Sequence, residues 1–233
     1  MIVKNLVKLI NLLRRLTLVG IINLLLLCTP ILLLDGVDRI SSDPHITIFL
    51  LLANVWCVME ILASSVHSRP SLSGTSHRWL APTIGMALLV VFWISIAETA
   101  LRTPTSFGLD AYGGVTLMVA GGALRCHAIY TLGPYFLDEI SLLPGQPLVT
   151  HGVYGLFRHP SELGTLCLAF GGAIVLQSLV GLITGTVVLL PCILLRIRLE
   201  DTLLRCHHPI AFSKHEREVP ALLPLIRRTN HIN

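Results

Sequence analysis

Charge is scarce in this chain. Only 13% of its 233 residues are Asp, Glu, Lys or Arg, about half of what a soluble domain of this length carries. That shortage excludes an ordinary water-facing surface. Aromatic residues are also few, at 6%, and no basic block is interleaved with them, so nothing suggests nucleic acid as a partner. The six cysteines stand singly at Cys28, Cys57, Cys126, Cys167, Cys192 and Cys206. Without a CxxC pair or a Cys/His cluster at zinc spacing they define no metal site, and they read as small buried hydrophobes. No GxGxxG follows a strand-like run, so no cofactor is expected on a Rossmann sheet.

What is present is apolar. Hydrophobic residues make up 53% of the chain and the mean hydropathy is +0.76. Runs long enough to cross about 30 Å of hydrocarbon recur from Leu16 onward. The fold class expected is an all-α polytopic membrane bundle. The first run, "LTLVGIINLLLLCTPILLL" (16–34), is long for a signal-peptide core, and the "DGVDRISSDP" that follows has no small-x-small cleavage site. It is expected to stay as a first span. Further spans are expected at about 46–66, 80–100 and 111–129. Residues 163–195 are too long for one crossing and divide near "QSLVG" (177–181) into a tight helical hairpin. Gly164, Gly171, Gly172, Gly181 and Gly185 are expected to let its backbones approach closely.

Six spans put both termini on one side. Fifteen of the seventeen basic residues then share that side, and only Arg39 and Arg102 fall on the other. By the positive-inside rule both termini are cytoplasmic, in a bacterial inner membrane or the endoplasmic reticulum. The chain divides into N-terminal transmembrane helices (1–129) and a core (130–233). That core holds the long 130–162 loop, the hairpin and a C-terminal cytoplasmic helix. Such a loop in a compact protein is functional more often than not, and its apolar, aromatic composition argues that it folds over the bundle.

The most polar short stretch is "HGVYGLFRHPSELG" (151–164), at the start of the hairpin. Topology brings it to the same face as "LLRIRLEDTLLRCHHPIAFSKHEREVPALLPLI" (194–226). There Arg196 and Glu200, four apart, share a helix face, with Leu199, Leu203 and Leu204 expected on the opposite side. Arg158 and His159 could alternatively anchor to lipid phosphates. Glu98 and Arg125 lie near span ends and can snorkel, whereas Glu60 lies deeper and is a candidate for the active cavity. His151 reads as a turn residue, and His207 and His208 as interfacial.

These two segments resemble the isoprenylcysteine carboxyl methyltransferase family. "GVYxxxRHPS", the hairpin, and "RIRLEDTLL" followed by Phe212, His215 and "VPALLPLI" carry the resemblance from about Gln146 to Ile226, roughly a third of the chain. It implies a membrane-embedded methyltransferase that uses S-adenosylmethionine. In that family the positions matching Gln146, Pro147, Leu148, Val149, Tyr154, His159, Pro160, Ser161, Glu162 and Glu200 line the cofactor pocket. The position matching Arg196 faces the methyl acceptor, by resemblance a carboxylate such as that of isoprenylcysteine. The acceptor is lipophilic, a small molecule or a prenylated chain reached from the bilayer. Two departures stand out. Glu162 replaces the usual tyrosine, and is expected to contact the cofactor's cationic groups or Arg158. "HHPIAFSKH" replaces a pattern of Phe-Gly followed by two tyrosines.

Two other readings compete. An NADPH-dependent membrane reductase of the sterol-reductase type would need more basic residues than Arg158 for the 2′-phosphate. A transporter would need polar groups at the bilayer midplane and an internal repeat, and neither is evident.

Overall fold

The protein is described here by a computed structural model covering residues 2–34, 38–67, 79–137, 139–143 and 145–223. Arg69, Arg78 and the end of the "VPALLPLI" match lie outside the described residues. The described chain is helical throughout, with α1 (Ile2–Leu34), α2 (Asp38–Ser42), α3 (Pro44–His67), α4 (Leu80–Ala100) and α5 (Leu109–Leu132) in its first half. After the long loop come α6 (Pro160–Val175), α7 (Leu179–Thr184), α8 (Leu190–His207) and α9 (Pro209–Glu218).

Among the described residues, five stretches are long and apolar enough to cross a membrane: Leu16–Leu34, Pro44–Leu62, Leu80–Ala100, Leu109–Tyr135 and Leu179–His207. The sixth apolar helix, α6, has 16 residues. Apolar side chains point outward as a lipid-facing surface requires, with Leu25 and Leu33 of α1 59% and 79% exposed. The expected break falls where the sequence placed it. Helix α6 ends at Val175, Gln177 takes a left-handed φ of 50°, and the Ser178 hydroxyl caps α7 by accepting from the Gly181 N–H. A π-helical turn, Gly185–Leu189, leads directly into Pro191, whose ring nitrogen cannot donate to the preceding turn.

Helix α6 is the hub, with thirteen of its sixteen residues buried. The hairpin glycines act differently from expectation. A Cβ at Gly164 would stand 2.6 Å from the Gly121 carbonyl oxygen, and one at Gly171 2.7 Å from the Met118 nitrogen. Reciprocally, a Cβ at Gly114 would stand 2.6 Å from the Val175 nitrogen. Gly164 and Gly171 thus seat α6 on α5, not on its hairpin partner, and Gly172 faces the rings of Phe49 and Phe92. Gly181 packs against Ser178 of the hairpin turn and Ser95 of α4, and Gly185 faces Phe170 of α6 within the hairpin. Cys28 is buried, whereas Cys206 is exposed.

The end of the bundle near the α6–α7 turn is tied by polar contacts. Glu98 accepts from the Ser178 hydroxyl and the Val180 N–H and pairs with Arg102. It therefore fastens α4 to the hairpin turn instead of reaching outward.

Candidate active site

The site begins where the loop turns into α6. Gly152, at φ 61°, opens a short 3-10 turn, Gly152–Gly155, that buries Tyr154. Three residues past this turn, the backbone pairs with the segment that follows α9. The Arg158 N–H donates to the Pro220 carbonyl at 2.9 Å and the His159 N–H to the Ala221 carbonyl at 3.0 Å. Pro160 then starts α6, a first-turn position that suits a residue without an N–H. Ser161 and Glu162 follow in the same turn, where a carboxylate is favoured by the helix dipole.

Asp201, one position beyond Glu200, organises this loop. One of its oxygens accepts from Arg158 Nη1 at 2.7 Å and the other lies 2.8 Å from His159 Nε2. Arg158 is therefore an internal ion pair, not a lipid anchor. Its guanidinium also lies over the Phe212 ring, which Arg205 approaches as well. Arg205 in turn binds Glu216 at 2.8 Å, clipping α9 onto α8. Burial opposes a charged His159, but the carboxylates of Asp201 and Glu200 outweigh it and hold the imidazolium up to about 9. Burial, reinforced by Glu200 and Glu162, pushes the Tyr154 phenol up. Burial, reinforced by the Arg158 cation, lowers His215.

A cleft opens between the loop, the start of α6 and α8. It is lined by Gln146, Pro147, Leu148, Val149, Tyr154, His159, Ser161, Glu162, Arg196 and Glu200. Ten of the eleven residues expected at the site thus share one cleft, and the eleventh, Pro160, is buried behind it as the first residue of α6. The loop 130–162 folds over the bundle and contributes Tyr135, Phe136 and Ile140 as well. Leu203 and Leu204 line the cleft too, so they lie on the Arg196/Glu200 face and not opposite it. Steps of four, seven and eight residues return to one side of a helix.

A second cavity lies against α3 and α4. Its wall is apolar along Trp56, Ala81, Ile84, Gly85 and Leu88, and polar at Arg125, Ser161, Glu162, Thr165 and Arg196. Arg196 and Glu162 line both spaces and bind each other, Nε to Oε1 at 3.0 Å. Arg158 pairs with Asp201 and Glu216, and Glu162 engages Arg196 and not Arg158, one of the two contacts expected for it.

Arg125 does not snorkel away. Its Nη1 donates to Ser161 Oγ at 2.8 Å and Thr165 Oγ1 at 3.1 Å, and its other nitrogens hold Glu60. Glu60 is reached through Arg125 and not by lining either space directly. His151 is exposed and precedes the 3-10 turn, His208 sits at the α8–α9 junction, and neither they nor His207 line the cleft. Asp201 and Arg125 are the residues that sequence reasoning undervalued. The signal for Asp201 was the need of two adjacent cations, Arg158 and His159, for a buried counter-charge.

The family model for isoprenylcysteine carboxyl methyltransferase matches residues 114–206, beginning in α5, upstream of the Gln146 start read from the motifs. Protein-S-isoprenylcysteine O-methyltransferase B of Arabidopsis thaliana is 30% identical over 173 residues, 71% of this chain and 85% of that protein. A probable protein-S-isoprenylcysteine O-methyltransferase of Oryza sativa subsp. indica is 27% identical over 169 residues, covering 71% and 88%. The Schizosaccharomyces pombe enzyme of the same name is 32% identical over 158 residues, 64% of this chain and 67% of the enzyme. The structure of a eukaryotic intramembrane Ras methyltransferase superposes with a TM-score of 0.61 at 20% identity, over 97% of this chain and 87% of that one, a likeness of fold. The molecule is thus an integral, multi-pass membrane enzyme of the methyltransferase class. The chain belongs to the isoprenylcysteine carboxyl methyltransferase family, and the reductase and transporter readings find no support among these relatives.

Proposed function

We propose that the chain transfers a methyl group from S-adenosylmethionine to the carboxylate of a lipophilic, isoprenylcysteine-like acceptor. One observation carries this reading. Two spaces, a cleft of mixed polar and apolar lining that holds Glu200, His159 and Gln146 and a largely apolar cavity, share a wall of Phe136, Ser161, Glu162 and Arg196. The donor set of the cleft suits the cofactor's chemistry. Glu200 and Glu162 answer its cationic groups and hydroxyls, and Tyr154 with the Gln146–Val149 segment supplies surface and backbone for adenosine. Bound S-adenosylmethionine supplies an electrophilic methyl on a sulfonium.

The protein's part is to bring in an anion, align it and keep water out. Arg196 would orient the acceptor carboxylate through a charge-assisted contact. Trp56, Ile84 and Leu88 would hold the acceptor's chain away from water. Methyl transfer to a carboxylate annihilates charge, so a site of low dielectric favours it once the anion is aligned. The bias of basic residues supports a cytoplasmic cleft with both termini on that side, where a water-soluble cofactor enters while the acceptor arrives from the bilayer.

Calorimetry on detergent-solubilised protein tests the reading. S-adenosylmethionine binds at micromolar levels, and Glu200→Ala abolishes binding without unfolding the protein. A folded sample that binds no S-adenosylmethionine and methylates no S-prenylated cysteine overturns it.

A further inference from the structure

The wall between the two spaces already holds a carboxylate. Glu162 is 6% exposed, and its Oε1 lies 3.0 Å from Arg196 Nε, on the guanidinium that an acceptor carboxylate would use. We propose that Glu162 is a displaceable latch on Arg196, a specificity-determining residue that yields the guanidinium to an anionic acceptor once a cation in the cleft takes up Glu162. This inference rests on the reading of the site given above.

The surroundings of Glu162 explain why the latch needs that cation. A buried carboxylate that loses its partner is strongly disfavoured. The neighbouring cations are engaged elsewhere, Arg125 with Glu60 and Arg158 and His159 with Asp201. The hydroxyls of Ser161 and Thr165 accept from Arg125 and can offer a carboxylate at most a neutral hydrogen bond, not the positive charge that Arg196 supplies. Displaced Glu162 must therefore pair with positive charge that arrives with a ligand. Because Glu162 also borders the first cleft, a sulfonium-bearing molecule bound there is suitably located. A neutral acceptor gains nothing from the exchange. A tyrosine at this position would leave Arg196 without this competitor, so the latch belongs to Glu162 specifically.

The test measures acceptor binding, not turnover, on the full chain in detergent. The probes are S-farnesyl-N-acetylcysteine and its carboxamide, each titrated with two cofactor analogues present in turn. One analogue carries a protonated amine in place of the sulfonium, and the other is S-adenosylhomocysteine, neutral at sulfur. In the wild type the carboxylate binds about tenfold more tightly with the cationic analogue, a coupling of ordinary size for linked sites, and the carboxamide shows no such dependence. In Glu162→Gln the carboxylate binds tightly with either analogue. Glu162→Tyr repeats the measurement should the glutamine variant fold poorly. Weaker carboxylate binding in these variants, or coupling that survives in them, overturns the latch while leaving the methyltransferase reading intact. A wild type that binds neither analogue removes both.

Discussion

Arg125 and Glu60 stand 65 positions apart and meet in a two-point ion pair, Nε to Oε2 at 2.8 Å and Nη2 to Oε1 at 2.6 Å. The pair joins α5 to α3, and through Ser161 and Thr165 it reaches α6. Its side chains are only 15% and 20% exposed. Removing one partner leaves the other charge in poor surroundings, which costs on the order of 3 kcal/mol for buried pairs. Arg125→Met and Glu60→Met should each lower thermal stability in detergent accordingly. The double change to Met/Met should recover most of the loss. Additive losses in this cycle would mean that the two residues are not energetically coupled.

The α5–α6 contact makes a sharper prediction about two glycines of one helix. A Cβ at Gly121 would lie 2.7 Å from the Gly164 carbonyl oxygen and 2.9 Å from the Leu168 nitrogen, whereas one at Gly113 meets nothing within 4 Å. Backbone cannot step aside as a side chain can, so Gly121→Ala must push the helices apart. The expected loss is about 2 kcal/mol or more, within the range for overpacking a tight core. Gly113→Ala should change stability by no more than about 1 kcal/mol, in the stabilising direction, because alanine is the better helix former. Thermal unfolding of the two variants side by side checks the contrast.

The helix-level architecture was legible because hydrocarbon thickness acts on the length and composition of apolar runs, which a sequence displays directly. The residues that share the cleft were legible in another way, through the resemblance of the 146–162 and 196–200 segments to the family, and not through composition. Pairings between distant helices were not legible. Which partner Gly164 and Gly171 approach depends on helix rotation in the bundle, and their spacing fits either neighbour. Glu162 was open to several cations, and only the packing of α6 against α8 selects Arg196. Arg125 illustrates the same limit. Its position near a span end fits snorkelling until Glu60 is seen to face it.

His159 provides a pH signature. Its imidazolium is held up to about 9 by Asp201 and Glu200 against the opposing effect of burial, compared with about 6.5 for a free histidine. A group whose pKa is raised on folding contributes stability that is complete below about 6.5 and disappears as pH rises through 9. Detergent-solubilised protein should therefore lose thermal stability between pH 7 and pH 10. Asp201→Asn should reduce that slope, because it removes the carboxylate 2.8 Å from His159 Nε2, and His159→Gln should remove this contribution. Identical pH profiles for the three proteins would show that His159 carries no such linkage.

Gly85 separates the roles of the two spaces. It lies on α4 in the apolar wall of the second cavity beside Ile84 and Leu88, and a Cβ there meets nothing within 4 Å. A methyl group fits this gap, so Gly85→Ala should leave acceptor affinity within about a factor of two, less than the smallest effect usual for one methylene in a binding pocket. A phenyl ring would project into the cavity and compete with the acceptor's chain. Gly85→Phe should raise KM for a farnesyl acceptor by about tenfold or more, with a smaller effect on a shorter prenyl chain. Affinity for S-adenosylmethionine should stay unchanged, because Gly85 is absent from the lining of the first cleft. The decisive measurement is acceptor KM against chain length, with cofactor affinity measured in parallel. Equal loss of cofactor and acceptor binding would mean that the substitution distorts α4 as a whole, and the second cavity would lose its claim on the acceptor.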